Sequence, residues 1–135
     1  MRGICTVVAS VGVALALCLV PTGSASAFGG EQLYCSVGNG PLADGACNQV
    51  TPTSPTGVAY HVVDQSGSGY SYSWTLSGNY STLQGCTSTT DYCYVTTPNV
   101  SDHEIIATVV VTQNGSSETL SATAEIASVC GGVFC

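Results

Sequence analysis

Hydrophobic and polar residues alternate with a period of two along several stretches of the chain, which is the pattern of half-buried β-strands. The clearest stretch is Tyr70–Gly78, where serine or threonine occupies one face and larger residues occupy the other: Tyr70, Tyr72, Trp74 and Leu76. Trp74 is the only tryptophan of the chain and lies at the centre of this stretch. We therefore expect this strand to lie in the middle of the fold.

Other stretches show the same alternation. Residues 58–64, 104–112 and 118–127 are the longer ones, and residues 32–37, 80–83 and 92–96 are shorter candidates. Two of the long stretches each place four apolar residues on one face: Ile105, Ala107, Val109 and Val111 in the first, and Leu120, Ala122, Ala124 and Ile126 in the second. The Asn114-Gly115 pair separates them, and both residue types tolerate the positive φ of a type I′ hairpin turn.

Short strands separated by turn residues, with no helical pattern after residue 27, predict an all-β protein. We expect an antiparallel immunoglobulin-like β-sandwich with disulfides, and closure into a barrel is the alternative. Turn residues punctuate residues 28–57, which we interpret as an N-terminal edge strand and an ordered loop. Residues 58–135 form the sandwich proper. Residues 28–135 are expected to be one structural unit, because their length suits a single core.

The first 27 residues have the composition of a signal peptide. Arg2 supplies positive charge, residues 4–20 are largely apolar, and Ala25-Ser26-Ala27 matches the small-residue cleavage signature. We expect cleavage after Ala27 and a secreted, extracellular protein. A membrane anchor is less favoured because the apolar run is short and no basic cluster follows it. Lipid attachment at Cys18 is less favoured because Leu17 is larger than a lipidation motif usually has.

The chain after residue 27 has no lysine or arginine, because Arg2 is the only such residue. The chain has eight carboxylate side chains and two histidines, and the formal net charge of the whole chain is −7. Binding to nucleic acid requires lysine or arginine at the phosphates, so no nucleic-acid partner is expected. Attraction to an anionic membrane surface is disfavoured for the same reason. Cohesion must come from apolar burial, backbone hydrogen bonds and disulfides.

The cysteines agree with export. Cys5 and Cys18 leave with the signal peptide, and six remain: Cys35, Cys47, Cys86, Cys93, Cys130 and Cys135. Exported proteins of this size use such cysteines in disulfides, and we expect Cys86 to pair with Cys93 across a short loop. The other four pair either locally, Cys35 with Cys47 and Cys130 with Cys135, or in a crossed arrangement that ties the N-terminal segment to the tail. Zinc is less favoured because the chain has no C-x-x-C motif.

Two segments resemble a known family. Tyr72-Ser73-Trp74-Thr75-Leu76-Ser77-Gly78, followed about thirty residues later by Thr108-Val109-Val110-Val111-Thr112-Gln113-Asn114-Gly115 and a final strand, resembles the PKD-type, immunoglobulin-like domains of bacterial secreted proteins. The likeness covers about residues 58–127. It implies a sandwich with the indole of the tryptophan packed in the core, an extracellular location, and a role as a spacer or as an adhesion or glycan-associated module.

No residue pattern indicates catalysis. His61 lies inside a predicted strand and His103 at a strand entrance, and we interpret both as structural or solvated. No G-x-S-x-G motif is present, and no spacing selects a pair of carboxylates for glycoside cleavage. Asp102 and Glu104 are candidate calcium ligands, but no D-x-D-x-D-G loop accompanies them. The sequence therefore predicts a non-enzymatic protein without metal or cofactor.

Binding is the more plausible activity. Tyr80, Tyr92 and Tyr94 cluster around the predicted disulfide loop, and tyrosine combines a flat apolar ring with a hydroxyl that suits a protein or glycan partner. The alternative is that these rings only fill the edge of the core. Other hypotheses are a small-ligand carrier, which requires a deep apolar cleft, and an enzyme inhibitor that uses residues 87–92 as its reactive loop.

Overall fold

The computed structural model describes residues 28–51, 56–97, 102–130 and 133–134, and these residues contain ten strands and no helix. The predicted signal peptide and Cys135 lie outside them, as do the side chains of residues 51, 82, 128–130 and 133–134. The strands are β1 (Gln32–Val37), β2 (Ala43–Asp44), β3 (Ala46–Thr51), β4 (Thr56–Val63), β5 (Tyr70–Gly78), β6 (Thr82–Gly85), β7 (Tyr92–Thr97), β8 (His103–Gln113), β9 (Ser116–Cys130) and β10 (Val133–Phe134).

The strands form two sheets packed face to face, so the fold is a β-sandwich and not a barrel. The first sheet has the order β2-β1-β4-β7-β6, and the second has the order β10-β9-β8-β5 with β3 also paired to β9. Strands β1, β4, β7 and β6 reproduce the A-B-E-D order of an immunoglobulin sandwich, and β5, β8 and β9 reproduce its C-F-G order. The predicted immunoglobulin-like sandwich is confirmed.

The core lies between the sheets and is built from alternate residues of each strand, as the period of two predicts. Strand β4 contributes Val58, Tyr60 and Val62, and β8 contributes Ile105, Ala107, Val109 and Val111. On β9 the buried residues are Ala122, Ala124 and Ile126, whereas Leu120 is only partly buried. Because these side chains fill the space between the sheets, the core offers no support for the small-ligand carrier hypothesis.

The tryptophan strand is not where the sequence pattern placed it. Strand β5 pairs only with β8 and therefore lies at an edge of the second sheet. Its alternation is as predicted, but Tyr72 is its only fully buried residue and Trp74 is partly buried. An edge strand has neighbours on one side only, so the indole packs against the margin of the core instead of its centre.

A parallel strand pair was not foreseen. Strand β3 runs parallel to β9, with Cys47 opposite Ala124 and Val50 opposite Ala127. The other strand pairs among the described residues are antiparallel, so the sandwich is mixed in this one place. The segment predicted to be an edge strand and a loop thus supplies β1 to the first sheet and β3 to the second.

A disulfide between Cys35 and Cys47 joins these two strands and therefore the two sheets. Both cysteines are buried. Cys35 therefore pairs locally with Cys47, and the crossed arrangement that would tie the N-terminal segment to the tail is wrong for this pair. The proposed partnership of Cys130 with Cys135 lies outside the described residues.

The hairpin between β8 and β9 has the predicted turn. Asn114 and Gly115 have φ values of 51° and 85°, which are the left-handed angles of a type I′ turn. Gln113 then pairs with Ser116, and the register continues to His103 opposite Ile126.

The loop between β6 and β7 covers the free edge of β5. Cys86 and Cys93, the pair expected from their spacing, are joined by a disulfide. Within this loop the Ser88 carbonyl accepts a hydrogen bond from the Tyr72 backbone N–H (3.1 Å), and the Thr90 carbonyl accepts one from Trp74 Nε1 (3.1 Å). Exposed strand edges promote aggregation, so this loop protects β5.

Candidate functional site

The outer face of the first sheet carries a row of aromatic side chains. Strand register aligns Tyr34 of β1 with His61 of β4, and His61 with Tyr92 of β7. The rings of His61 and Tyr92 have centroids 6.0 Å apart and are tilted by 31°. Tyr94 lies on the same face, one pair further along β7 and opposite Ala59. We call these four residues, Tyr34, His61, Tyr92 and Tyr94, the tyrosine face.

Two of the tyrosines pack against glycines. A methyl group added to Gly57 would overlap the hydroxyl end of Tyr94 and come 2.8 Å from its Cζ, so this end of the ring occupies the space above Gly57. Similarly, a methyl group on Gly85 would come 2.5 Å from Cε2 and 2.7 Å from Cδ2 of Tyr92, so one edge of that ring lies over Gly85. Part of each ring is therefore covered by backbone, and the remainder is exposed to solvent. A ring so packed loses little further freedom when it binds a ligand.

The exposure of the rings agrees with this orientation. Tyr92 and Tyr94 are 41% and 37% exposed, although their strand lies within the sheet between β4 and β6. The expectation that the predicted tyrosines only fill the edge of the core does not hold for these two. Tyr92 and Tyr94 thus pack partly against the sheet, and the rest of each ring is accessible to solvent.

The structure does not unite all three predicted tyrosines in one row. Tyr92 and Tyr94 share the tyrosine face, whereas Tyr80 precedes β6 and is 36% exposed. Its neighbour Ser81 donates a backbone hydrogen bond to the Thr96 carbonyl (2.8 Å), which holds this connection beside the end of β7. Sequence reasoning missed Tyr34 and His61 as members of the face. Their positions on the polar side of alternating stretches were the available signal.

Carboxylates border the tyrosine face. Asp44 of β2 is in register with Tyr34 and extends the aromatic row by one position. Asp64 follows β4 and Asp91 precedes β7, so both lie at the same end of these antiparallel strands. The Asp91 carboxylate, however, accepts a hydrogen bond from Gln65 Nε2 (3.4 Å) and acts on Tyr72 of the second sheet, so only Asp44 and Asp64 border the tyrosine face. All three aspartates are exposed. The face thus combines aromatic rings with negative charge.

The disulfide loop does not have the form of a protease-inhibitor loop. Gly85 and Cys86 both have left-handed backbone angles (φ 70° and 53°), which reverse the chain. The Thr87 N–H then donates to Thr90 Oγ1 (2.9 Å), and the hydroxyls of these two threonines are 3.0 Å apart. A substrate-like loop needs an extended, accessible backbone, whereas this loop is curled and two of its carbonyls bind β5.

The second histidine lies elsewhere. His103 begins β8 in the second sheet and, with Asp102, Glu104, Glu125, Ile126 and Ala127, lines a depression of about 410 Å³. Glu104 and Glu125 are directly opposite each other in the β8–β9 pair. In the part of the chain that the structure describes, no group of three or more histidine, cysteine or carboxylate side chains could hold a metal ion. The histidines are therefore separated between the sheets, and the depression has mixed polar and apolar walls.

A buried carboxylate anchors the start of the domain. Glu31 is 4% exposed, and its Oε2 accepts hydrogen bonds from the backbone N–H groups of Gly29 (2.8 Å) and Gly30 (3.0 Å). Its Oε1 accepts a hydrogen bond from the Tyr70 hydroxyl (2.8 Å). Burial raises the pKa of the Glu31 carboxyl, but the hydrogen bonds outweigh it, and the net pKa is below the ordinary value. Glu31 is therefore a structural group that favours its charged form.

Comparison of the chain with protein-family models finds no match, and comparisons with curated proteins and with solved structures find none either. Within the described residues, no helix is long and apolar enough to span a membrane. The functional argument therefore depends on the geometry of the surface.

Proposed function

We propose that this protein is a secreted, non-catalytic, immunoglobulin-like binding module of the extracellular space or cell envelope. The tyrosine face is its contact surface. The observation that carries this proposal is the packing of Tyr92 and Tyr94 against Gly85 and Gly57, which holds in place two rings that remain 41% and 37% exposed. Tyrosines presented in this way contribute large contact area at low cost in conformational entropy.

The chemistry of the chain supports an extracellular setting. Disulfides such as Cys35–Cys47 and Cys86–Cys93 persist in oxidising compartments. The signal-peptide pattern of residues 1–27 indicates export to such a compartment. The immunoglobulin strand order is compatible with the PKD-type resemblance, in which domains serve as adhesion or glycan-associated modules.

The proposal is tested by mapping contacts on the isotope-labelled domain. Residues 28–135 are exported with their disulfides formed, and backbone amide signals are followed by NMR during titration with soluble cell-wall oligosaccharides and with synthetic peptides of differing charge. We expect at least one probe to shift a contiguous set of signals on β4 and β7. If the shifted signals belonged only to other surfaces, the binding site would be assigned to those surfaces instead of the tyrosine face. No shift with any probe would overturn the proposed function.

A matched pair of variants makes the assignment specific. Changing both Tyr92 and Tyr94 to leucine removes the rings and retains apolar side chains over the glycines. Changing Tyr80 to leucine removes a tyrosine of similar exposure outside the row. We expect the double variant to lose the interaction and the Tyr80 variant to retain it. The dispersion of the NMR signals of each variant should show that both remain folded.

A further inference from the structure

We infer that the tyrosine face binds a positively charged segment of a partner protein, bearing lysine or arginine side chains. This inference rests on the proposed function and specifies the chemistry of the ligand. It combines two observations: the solvent-exposed rings of Tyr92 and Tyr94, and the aspartates at the margins of the tyrosine face, Asp44 and Asp64.

The rings suit a cation. The face of an aromatic ring carries negative electrostatic potential and attracts an ammonium or guanidinium group that lies above it. Because Tyr92 and Tyr94 pack only partly against Gly85 and Gly57, the exposed part of each ring is open to a ligand. The two residues are separated by one position on β7 and lie on the same face of the sheet, so an extended segment can contact both.

The charge distribution selects the sign of the ligand. Asp44 continues the row beyond Tyr34, and Asp64 follows β4, the strand that carries His61. After residue 27 the chain has no lysine or arginine to compete for these carboxylates. A surface of one sign attracts ligands of the opposite charge and accelerates their association.

The same charge disfavours other occupants of the face. A second copy of this chain would bring carboxylates against carboxylates, and anionic lipids would be repelled as well. A neutral oligosaccharide can stack on the rings but gains nothing from the bordering carboxylates. A basic protein segment is the ligand that uses both features.

The inference is tested by fluorescence anisotropy with three labelled probes: a peptide of about twelve residues that alternates lysine and serine, its glutamate-serine counterpart, and a neutral chitin oligosaccharide. We expect the lysine peptide alone to bind well. Its affinity should fall at least several-fold between about 0.05 and 0.5 M salt because the attraction between charges is screened.

Variants distinguish a cation bound on the rings from general charge attraction. Replacing both Tyr92 and Tyr94 with phenylalanine should leave affinity within about twofold, because the ring faces remain. Replacing both with leucine should weaken binding roughly four- to twenty-five-fold, the product of about two- to fivefold for each exposed cation–π contact. Asp44→Asn should weaken binding more than Glu125→Gln, which removes the same charge from the opposite sheet.

Each contrary outcome has a defined meaning. Equal effects of Asp44→Asn and Glu125→Gln, with no effect of the leucine pair, would show general charge attraction and overturn the inference. Preferred binding of the chitin oligosaccharide, lost in the leucine pair, would also overturn it but would leave the proposed binding function intact. Failure of every probe to bind, here and in the NMR titration, would overturn both.

Discussion

The Tyr60 hydroxyl donates a hydrogen bond to the Ile105 carbonyl across the two sheets, with an oxygen–oxygen distance of 2.7 Å. Tyr60 belongs to β4 and Ile105 to β8, and both side chains are fully buried. A buried hydroxyl without a partner is costly, so this bond is what allows a tyrosine at the centre of an apolar core. It also fixes the distance between the sheets at this point.

Tyr60→Phe should lower the free energy of unfolding by about 1 kcal/mol, because one buried hydrogen bond is lost while the ring is retained. The measurement is urea or guanidinium denaturation followed by tryptophan fluorescence. Tyr80→Phe is the matched control at an exposed position and should leave the stability unchanged. Equal stability of Tyr60→Phe and the parent protein would show that the bond does not contribute.

The same residue should make the protein sensitive to alkali. Burial raises the pKa of the Tyr60 hydroxyl well above its ordinary value near 10. A group whose pKa is raised by folding contributes stability below its unfolded pKa, and that stability is lost as the pH rises above about 10. The free energy of unfolding should therefore decline less steeply in Tyr60→Phe than in the parent protein as the pH rises from about 9 to 12. Parallel curves would contradict this explanation.

Glu31 should produce the opposite dependence in acid. The hydrogen bonds from Tyr70, Gly29 and Gly30 outweigh burial and lower the pKa of its carboxyl in the folded protein. Its contribution to stability is therefore complete above the unfolded pKa, near 4, and is lost as the pH falls through the folded value. Glu31→Gln should flatten the acid limb of the curve of stability against pH. Glu125→Gln, at an exposed position, should not.

Trp74 should report the state of the disulfide loop, because it is the only tryptophan and its Nε1 donates to the Thr90 carbonyl. Replacing both Cys86 and Cys93 with alanine should release the loop and shift the emission of the folded protein to longer wavelength by several nanometres. Replacing Cys35 and Cys47 should lower stability without this shift, because their disulfide joins β1 to β3 and makes no bond to the loop. An unshifted spectrum in the first variant would show that hydrogen bonds alone hold the loop.

The two glycines under the tyrosines should respond differently to alanine. Gly85 has a left-handed φ of 70°, and an added methyl group would meet the Tyr92 backbone carbonyl at 2.6 Å. Gly85→Ala should therefore cost about 1 to 3 kcal/mol in unfolding free energy. At Gly57 the obstacle is the end of the Tyr94 side chain, which can swing away. Gly57→Ala should cost less in thermal or chemical denaturation but change the binding of any ligand on the face.

Much of the sandwich was predictable because one side of each strand faces the core. Burial of Ile105, Ala107, Val109 and Val111 follows directly from their spacing, and the Asn114-Gly115 turn follows from its backbone angles. The edge position of β5 was not predictable in this way. Alternation shows which residues face inward, but it does not show how many neighbours a strand has.

Strand β3 and the tyrosine face reveal two further limits. Over residues 46–50 burial alternates, with Cys47 buried and Gln49 half-buried, but the residue types do not alternate between apolar and polar, and the partner strand β9 is distant in sequence. Tyr92 and Tyr94 were selected by proximity along the chain. Tyr34 and His61 join them only through strand register, which a single sequence does not specify.

The Cys35–Cys47 link and the parallel β3–β9 pair together determine how the domain resists mechanical tension. Force from residue 28 reaches Cys35 and passes through the covalent bond to β3, while force from the other end pulls on β9 in the opposite direction. Two parallel strands loaded at opposite ends slide along each other, so several hydrogen bonds must break together instead of one at a time. A domain with this arrangement is suited to holding a partner under flow or between moving surfaces.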